Sequence, residues 1–250
     1  MIYITGDMHG DPSRLSSHIF PEQKEMTRDD YVIVCGDFGL VWDRKETPQE
    51  KYWLDWLEER PFTTLFVDGN HENHARLMTF PEEEWHGGQI HRIRPHVLHL
   101  MRGQYFEDVD GRTVFAFGGA RSHDIWNLFD PKDEQYKEQV RRARRNNEFF
   151  RVVGESWWPE EMPSSAEMQT GRDNLAKHGW NVDFIVTHAA ASSTVAMFSS
   201  GRFKPDELTA YLQEISERTR YTRWFFGHYH DNRQVTGRDI LIYEQIIRIG

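Results

Sequence analysis

Ile2-Tyr3-Ile4-Thr5-Gly6-Asp7-Met8-His9-Gly10 opens the chain with a short apolar run, a glycine and two side chains that bind metals. The same order returns at Tyr31–Cys35 before Gly36-Asp37-Phe38-Gly39, and at Thr63–Val67 before Asp68-Gly69-Asn70-His71-Glu72. Runs this rich in β-branched and apolar residues predict strands of a sheet covered on both faces. A glycine at the end of each run lets the backbone turn sharply and approach a ligand. In open α/β sheets, sites form at that carboxyl edge. The pattern resumes late in the chain, where Val182–Thr187 leads into His188 and Arg223–Phe226 leads into Gly227-His228-Tyr229-His230. Asp7, His9, Asp37, Asn70, His188, His228 and His230 are thus candidate metal ligands. Carboxylate supplies hard, bridging oxygen, imidazole supplies nitrogen, and the Asn carbonyl adds neutral oxygen.

Between these motifs the sequence predicts a helix over residues 12–19 with Leu15 and Ile19 inward, and a second over Thr47–Arg60. Thr47 can cap that second helix, Pro48 suits its first turn, and Tyr52, Trp53, Trp56 and Leu57 form one apolar stripe. Val97–Met101, Tyr105–Val109 and Thr113–Phe117 read as successive strands with a tight turn at Asp110-Gly111. From Arg121 to about Arg172 the pattern loosens, apart from a charged helix over Pro131–Asn147. Residues 121–165 read as a cap or specificity insertion. A helix over Lys204–Glu217, with Pro205 early in it, and strands at Asp239–Tyr243 and Gln245–Ile249 follow. With motifs running from one end to the other, the 250 residues are expected to form one α/β domain.

The formal net charge is −10, which argues against bare nucleic acid or an anionic membrane as partner. The single cysteine, Cys35, lies in an apolar run and precludes an intrachain disulfide framework. No apolar run reaches membrane-spanning length, and Ile2–Thr5 already reads as a core strand rather than a leader. A cytoplasmic location is the expectation.

The ordered set Gly-Asp-x-His-Gly, Gly-Asp, Gly-Asn-His-Glu, a strand-end His and Gly-His-x-His resembles the calcineurin-like metallophosphoesterase superfamily, over roughly residues 1–75 and 180–245. The resemblance implies an α/β (α+β) fold of four layers, two mixed β-sheets sandwiched and flanked by helices. It implies a first metal on Asp7, His9, Asp37 and His230, and a second on Asp37, Asn70, His188 and His228, with Asp37 bridging. His71 matches the family's general acid. The implied reaction is hydrolysis of a phosphate mono- or diester by a metal-bridging hydroxide, without a phosphoenzyme. The thiolate-free donors suit manganese, iron or zinc without deciding among them; manganese is the working choice, with nickel and magnesium as further candidates. A small phosphoester or nucleotide is the expected substrate.

Leu40 and Val41 stand where protein serine/threonine phosphatases of the superfamily carry an Asp that orients the acid histidine and an Arg. That weakens a protein-phosphatase reading, which stays an alternative beside a non-catalytic metal-binding scaffold. Arg44 and Arg121 are candidates to grip phosphate oxygens. Trp157 and Trp158 are candidates to stack on a base or sugar, or to pack a core. Arg141, Arg142, Arg144 and Arg145 fit a solvated helix face better than a nucleic-acid contact, given Glu134, Glu138 and Glu148 beside them. Of the chain's 13 histidines, His18, His74, His86, His91, His96, His99, His123 and His178 fit no ligand position.

Overall fold

A computed structural model describes residues 1–123 and 125–250. Among the described residues, one sheet holds β1 (Ile2–Thr5), β2 (Tyr31–Val34), β3 (Thr63–Phe66), β4 (Glu82–Trp85), β5 (Gly88–Arg94), β6 (Val97–Leu100) and β15 (Ile247–Arg248), in the order β15-β1-β2-β3-β6-β5-β4. The other holds β7 (Gln104–Val109), β8 (Arg112–Phe117), β11 (Asn181–Thr187), β12 (Arg220–Phe226), β13 (Arg233–Gln234) and β14 (Asp239–Leu241), in the order β13-β14-β12-β11-β8-β7. The central neighbours are parallel: β1 with β2, β2 with β3 and β3 with β6 in one sheet, β8 with β11, β11 with β12 and β12 with β14 in the other. Antiparallel strands close the edges.

The period of two along each strand builds the layers. Ile2, Ile4, Ile33 and Leu65 face Val114, Ala116, Val186 and Phe225 across the space between the sheets. Their neighbours Tyr3, Val32, Val34 and Phe66 point outward onto Leu15, Leu54 and Leu57. On the far side, Phe115, Phe117, Ile185 and Trp224 pack under Leu175, Leu208 and Leu212. These last come from α4 (Ser165–Lys177) and α6 (Glu207–Arg218). The layers are therefore helix, sheet, sheet, helix, as the resemblance implies. Cys35 is fully buried between the sheets, where burial pushes its thiol pKa up.

Local readings hold to different degrees. The helix α1 (Pro48–Glu58) starts where expected, with Thr47 accepting from the Glu50 amide at 3.2 Å. Leu54 and Leu57 are its buried face, Trp53 and Trp56 are partly buried, and Tyr52 is 60% exposed rather than part of the stripe. The helix expected over residues 12–19 is only a 3-10 turn, Pro12–Leu15, capped by Asp11. Leu15 is buried, but Ile19 is 59% exposed, because the chain leaves the turn at Ser16 and buries Phe20 instead. Pro205 precedes α6, whose cap is Asp206. The charged helix is shorter than expected: α3 spans Tyr136–Arg145, with Arg141, Arg142, Arg144 and Arg145 exposed and Arg141 paired to Glu138 at 2.7 Å.

Within residues 121–165, α3 follows β9 (Leu128–Phe129), which pairs in parallel with β10 (Arg151–Val152). A 3-10 turn, Pro159–Glu161, then leads to α4. Asp124 lies outside the described residues. No described helix is long and apolar enough to cross a membrane.

Candidate metal centre

Asp7 follows β1, Asp37 follows β2, Asn70 follows β3, His188 follows β11 and His228 follows β12. All five therefore leave the carboxyl ends of central strands, three from one sheet and two from the other. Glycine is required for this convergence. A Cβ at Gly36, whose φ is +94°, would meet His188 Nδ1 at 2.2 Å. A Cβ at Gly69 would meet Asp37 Oδ1 at 2.0 Å. The ligands themselves are bent: His9, Asp37, His228 and His230 have φ of 48°, 43°, 69° and 49°. Left-handed backbone outside glycine is uncommon and costs energy, so its concentration here marks a site held by its surroundings.

The donor atoms form two groups that share one residue. Donor atoms of Asp7, His9, Asp37 and His230 all lie within 4.8 Å of one another. His9 Nε2 is 3.0 Å from His230 Nε2, which is 3.2 Å from Asp7 Oδ2. In the other group, His188 Nε2 lies 3.2 Å from Asp37 Oδ1 and 3.3 Å from Asn70 Oδ1. The His188 and His228 rings are 4.9 Å apart. Asp37 Oδ2 faces His9 Nδ1 at 3.8 Å, so its two oxygens look to opposite groups. All seven sequence candidates are thus brought together.

Hydrogen bonds fix which atoms point inward. His188 Nδ1 donates to the Cys35 carbonyl at 2.8 Å, which leaves Nε2 turned toward the cluster. Asp7 accepts from the His228 amide at 3.1 Å, and Asp37 Oδ1 accepts from the His71 amide at 2.8 Å. Buried Glu72 accepts from the Phe38 amide at 2.7 Å and so latches the loop that carries Asp37. Burial, together with Asp37 and Asp68, pushes the Glu72 pKa up. Burial opposes charge on both Asp37 and His188, yet their mutual attraction wins. Asp37 is held well below the carboxylate range, and His188 is raised to about 10. Burial lowers the pKa of His9 and, with His188 and His123, that of His228. Two carboxylates, four imidazoles and an amide oxygen, with no thiolate, suit hard or borderline divalent cations.

His71 stands beside the cluster. Its ring stacks on Trp42 at 5.9 Å and meets His9 edge-on at 5.1 Å. It borders both the ligand cluster and a 330 Å³ hollow formed with Trp42, Trp53, Gln49 and Asp43. Leu40 and Val41 are buried in the outer core, and Trp42 occupies the flank of His71. On the His228 side, Arg121 lies at the rim of a 170 Å³ apolar pocket with His123, Phe203 and Tyr229, with Nε 3.5 Å from Asp206.

The other substrate candidates fall elsewhere. Arg44 is 72% exposed, pairs with Glu155 at 2.8 Å and lines a separate hollow with Arg76 and Lys132. Trp158 is buried edge-on against Trp42 at 5.3 Å, so it supports the wall behind His71 rather than offering a stacking face. Trp157 is partly buried, and neither Trp157 nor Trp158 lines a hollow bordering the cluster.

Sequence reasoning placed His123 outside the ligand set while noting the Gly-Gly strand end before it; its Nε2 is 2.7 Å from His228 Nε2. A signal was present: Phe117-Gly118-Gly119 ends β8 just as Gly36 follows β2, and His123 comes soon after. It missed the buried Asp68, which accepts from Arg102 Nε at 3.0 Å and Arg102 Nη2 at 2.5 Å and lies 3.1 Å from His99 Nε2. Burial works against both charges of that pair, but each holds the other ionised. Asp68 is held well below and Arg102 above its ordinary value.

The calcineurin-like phosphoesterase family model matches residues 1–232. Lariat debranching enzyme A of Xenopus laevis is 26% identical over 166 residues, which cover 60% of this chain and 30% of that protein. The chain therefore spans less than a third of the length of that curated relative.

Proposed function

The chain belongs to the calcineurin-like phosphoesterases, and we propose that it is a metal-dependent hydrolase that cleaves a small or nucleotide phosphodiester at a two-cation centre shared through Asp37. The observation that carries this is the Asp37 carboxylate, with one oxygen toward His9 and the other toward His188. Asp7, His9, Asp37 and His230 would hold one ion; Asp37, Asn70, His188 and His228 would hold the other. When bound, the two cations supply Lewis acidity that activates a water and spreads phosphoryl charge.

The chain's own groups do the rest. The water oxygen adds to phosphorus and gives up a proton to solvent as the ester P–O bond breaks. The leaving oxygen takes a proton from the His71 imidazolium, which regains one from solvent. Trp42 stacks on that ring, and Trp158 packs edge-on behind Trp42. Space on both sides of the cluster favours a diester: the 330 Å³ hollow beside His71 for the departing arm, and the 170 Å³ apolar pocket beside His228 for the retained one. Arg121, at the second rim, is the guanidinium placed to meet a phosphate oxygen. With Leu40 and Val41 in the core, nothing at those positions supports a protein phosphatase.

Hydrolysis of bis-p-nitrophenyl phosphate is expected to vanish on dialysis against EDTA and to return with Mn²⁺; a rate that survives chelation excludes the cation centre. His71→Ala is expected to lower kcat/KM by about 10²- to 10⁴-fold on a diester with an alkoxide leaving group, and far less on p-nitrophenolate, which needs no proton. Equal losses on both substrates would remove His71 from the acid role.

A further inference from the structure

The insertion reaches the centre through a hydrogen-bond chain that ends on Asn70. Glu161, in the 3-10 turn Pro159–Glu161, is only 2% exposed. One carboxylate oxygen accepts from the Ser122 amide at 2.9 Å, and the other accepts from the Ser122 hydroxyl at 2.5 Å. Ser122 Oγ in turn accepts from Asn70 Nδ2 at 3.3 Å. Asn70 Oδ1 is left facing His188 Nε2 at 3.3 Å. A buried carboxylate is costly without donors, and here Ser122 supplies two of them. The turn that presents it is itself held, because Arg102 donates to the Glu160 carbonyl at 2.8 Å.

The direction of this chain carries chemical information. A carboxylate can only accept, so Glu161 commits the Ser122 hydroxyl proton to itself. Ser122 then has only lone pairs to offer Asn70, and Asn70 must answer with its NH₂ group. Its carbonyl oxygen is thereby turned toward the second cation position. An amide offers a cation one good end and one useless end, and the two ends are nearly the same shape. The surrounding hydrogen bonds therefore have to choose between them.

We propose that Glu161 is a positioning residue that, through Ser122, selects the oxygen end of Asn70 for the second cation, making that site dependent on the insertion. This rests on the two-cation reading above. It goes beyond it by assigning a role to residues that touch neither the ions nor the phosphate.

Glu161→Gln is the direct test, because it preserves size while adding a donor. The glutamine oxygen keeps the Ser122 amide, and its NH₂ meets Ser122 Oγ. The serine proton then turns toward Asn70, which must rotate to present oxygen to Ser122 and NH₂ to the ion. Titration calorimetry of the metal-free full-length chain with Mn²⁺, in wild type and Glu161→Gln, reads the result. The expectation is a second-site affinity weakened about 10- to 100-fold, with the first site and the melting temperature of the metal-free protein unchanged.

Asn70→Asp supplies the control. A carboxylate has no wrong end, and it faces an acceptor-only Ser122 when Glu161 is present. In that background Glu161→Gln is expected to leave second-site affinity unchanged or to raise it, a reversal that loss of general packing would not produce. Ser122→Ala, which cuts the chain, is expected to make Glu161→Gln silent. Second-site affinity unaltered by Glu161→Gln, or weakened equally in the Asn70→Asp background, overturns the inference and leaves the two-cation reading intact. A wild type that takes up only one Mn²⁺ overturns both.

Discussion

Asp37→Ala is expected to reduce metal-dependent hydrolysis by on the order of 10³-fold or more, a larger loss than from replacing any other single ligand. The reason is placement. Asp7 and His230 belong to one donor group and His188 to the other, but Asp37 faces both, at 3.8 Å from His9 and 3.2 Å from His188. Its removal deletes the anion between the groups and the acceptor for the His71 amide, which lies 2.8 Å away. Metal content should fall with activity. Elemental analysis after gel filtration is expected to show both ions depleted in Asp37→Ala, whereas His230→Ala should deplete only the first site. Full occupancy with intact turnover in Asp37→Ala would refute the shared-ligand arrangement.

Arg102→Met should produce the largest loss of stability, about 3–5 kcal/mol, because it leaves the Asp68 carboxylate buried without its cation. For a chain of this size that corresponds to a fall of roughly 6–20 °C in melting temperature. Asp68→Asn combined with Arg102→Met should recover most of the loss, since a neutral pair strands no charge. The dependence on pH has a definite sign. Asp68 is held below its ordinary pKa in the folded protein, so its contribution is fully present above the unfolded value, near 4. It is lost as pH falls through the folded value. In Arg102→Met that carboxylate is instead relieved by taking up a proton. The gap between variant and wild type, followed by thermal melts, should therefore narrow in acid. A gap that stays constant with pH would mean that the charge on Asp68 is not the cause.

The clustering of the candidate ligands was legible in the sequence because they follow hydrophobic strands whose glycines carry a steric signature. Gly36 and Gly69 mark places where a neighbouring candidate ligand occupies the space that a Cβ would need. The layers were legible for a related reason: Ile2, Tyr3 and Ile4 already display the alternation that sorts them between two cores. Other elements carried no such mark. β4 is Glu-Glu-Glu-Trp, an edge strand with little to bury, and α5 (Ser192–Ser199) begins in small polar residues without a side-chain cap. α4 is announced by a capping box at Ser164 and Glu167, a local sign that the long preceding loop obscured. The link from Glu161 through Ser122 to Asn70 was invisible for a deeper reason. It joins residues 39 and 52 positions apart, and only folding sets its direction. Arg44 and Trp158 lie away from the cluster, because side chains that suit phosphate or bases serve equally well, as here, to pair with Glu155 and to pack on Trp42.

The left-handed backbone at His9, Asp37, His228 and His230 also restricts how the centre can vary. Glutamate is as good an oxygen donor as aspartate, but it belongs to the majority of side chains that resist this twist, whereas Asp, Asn and His tolerate it. Mutational drift at these positions therefore has to pass two filters at once, donor chemistry and chain handedness. The residue types that pass both are nearly the ones already there.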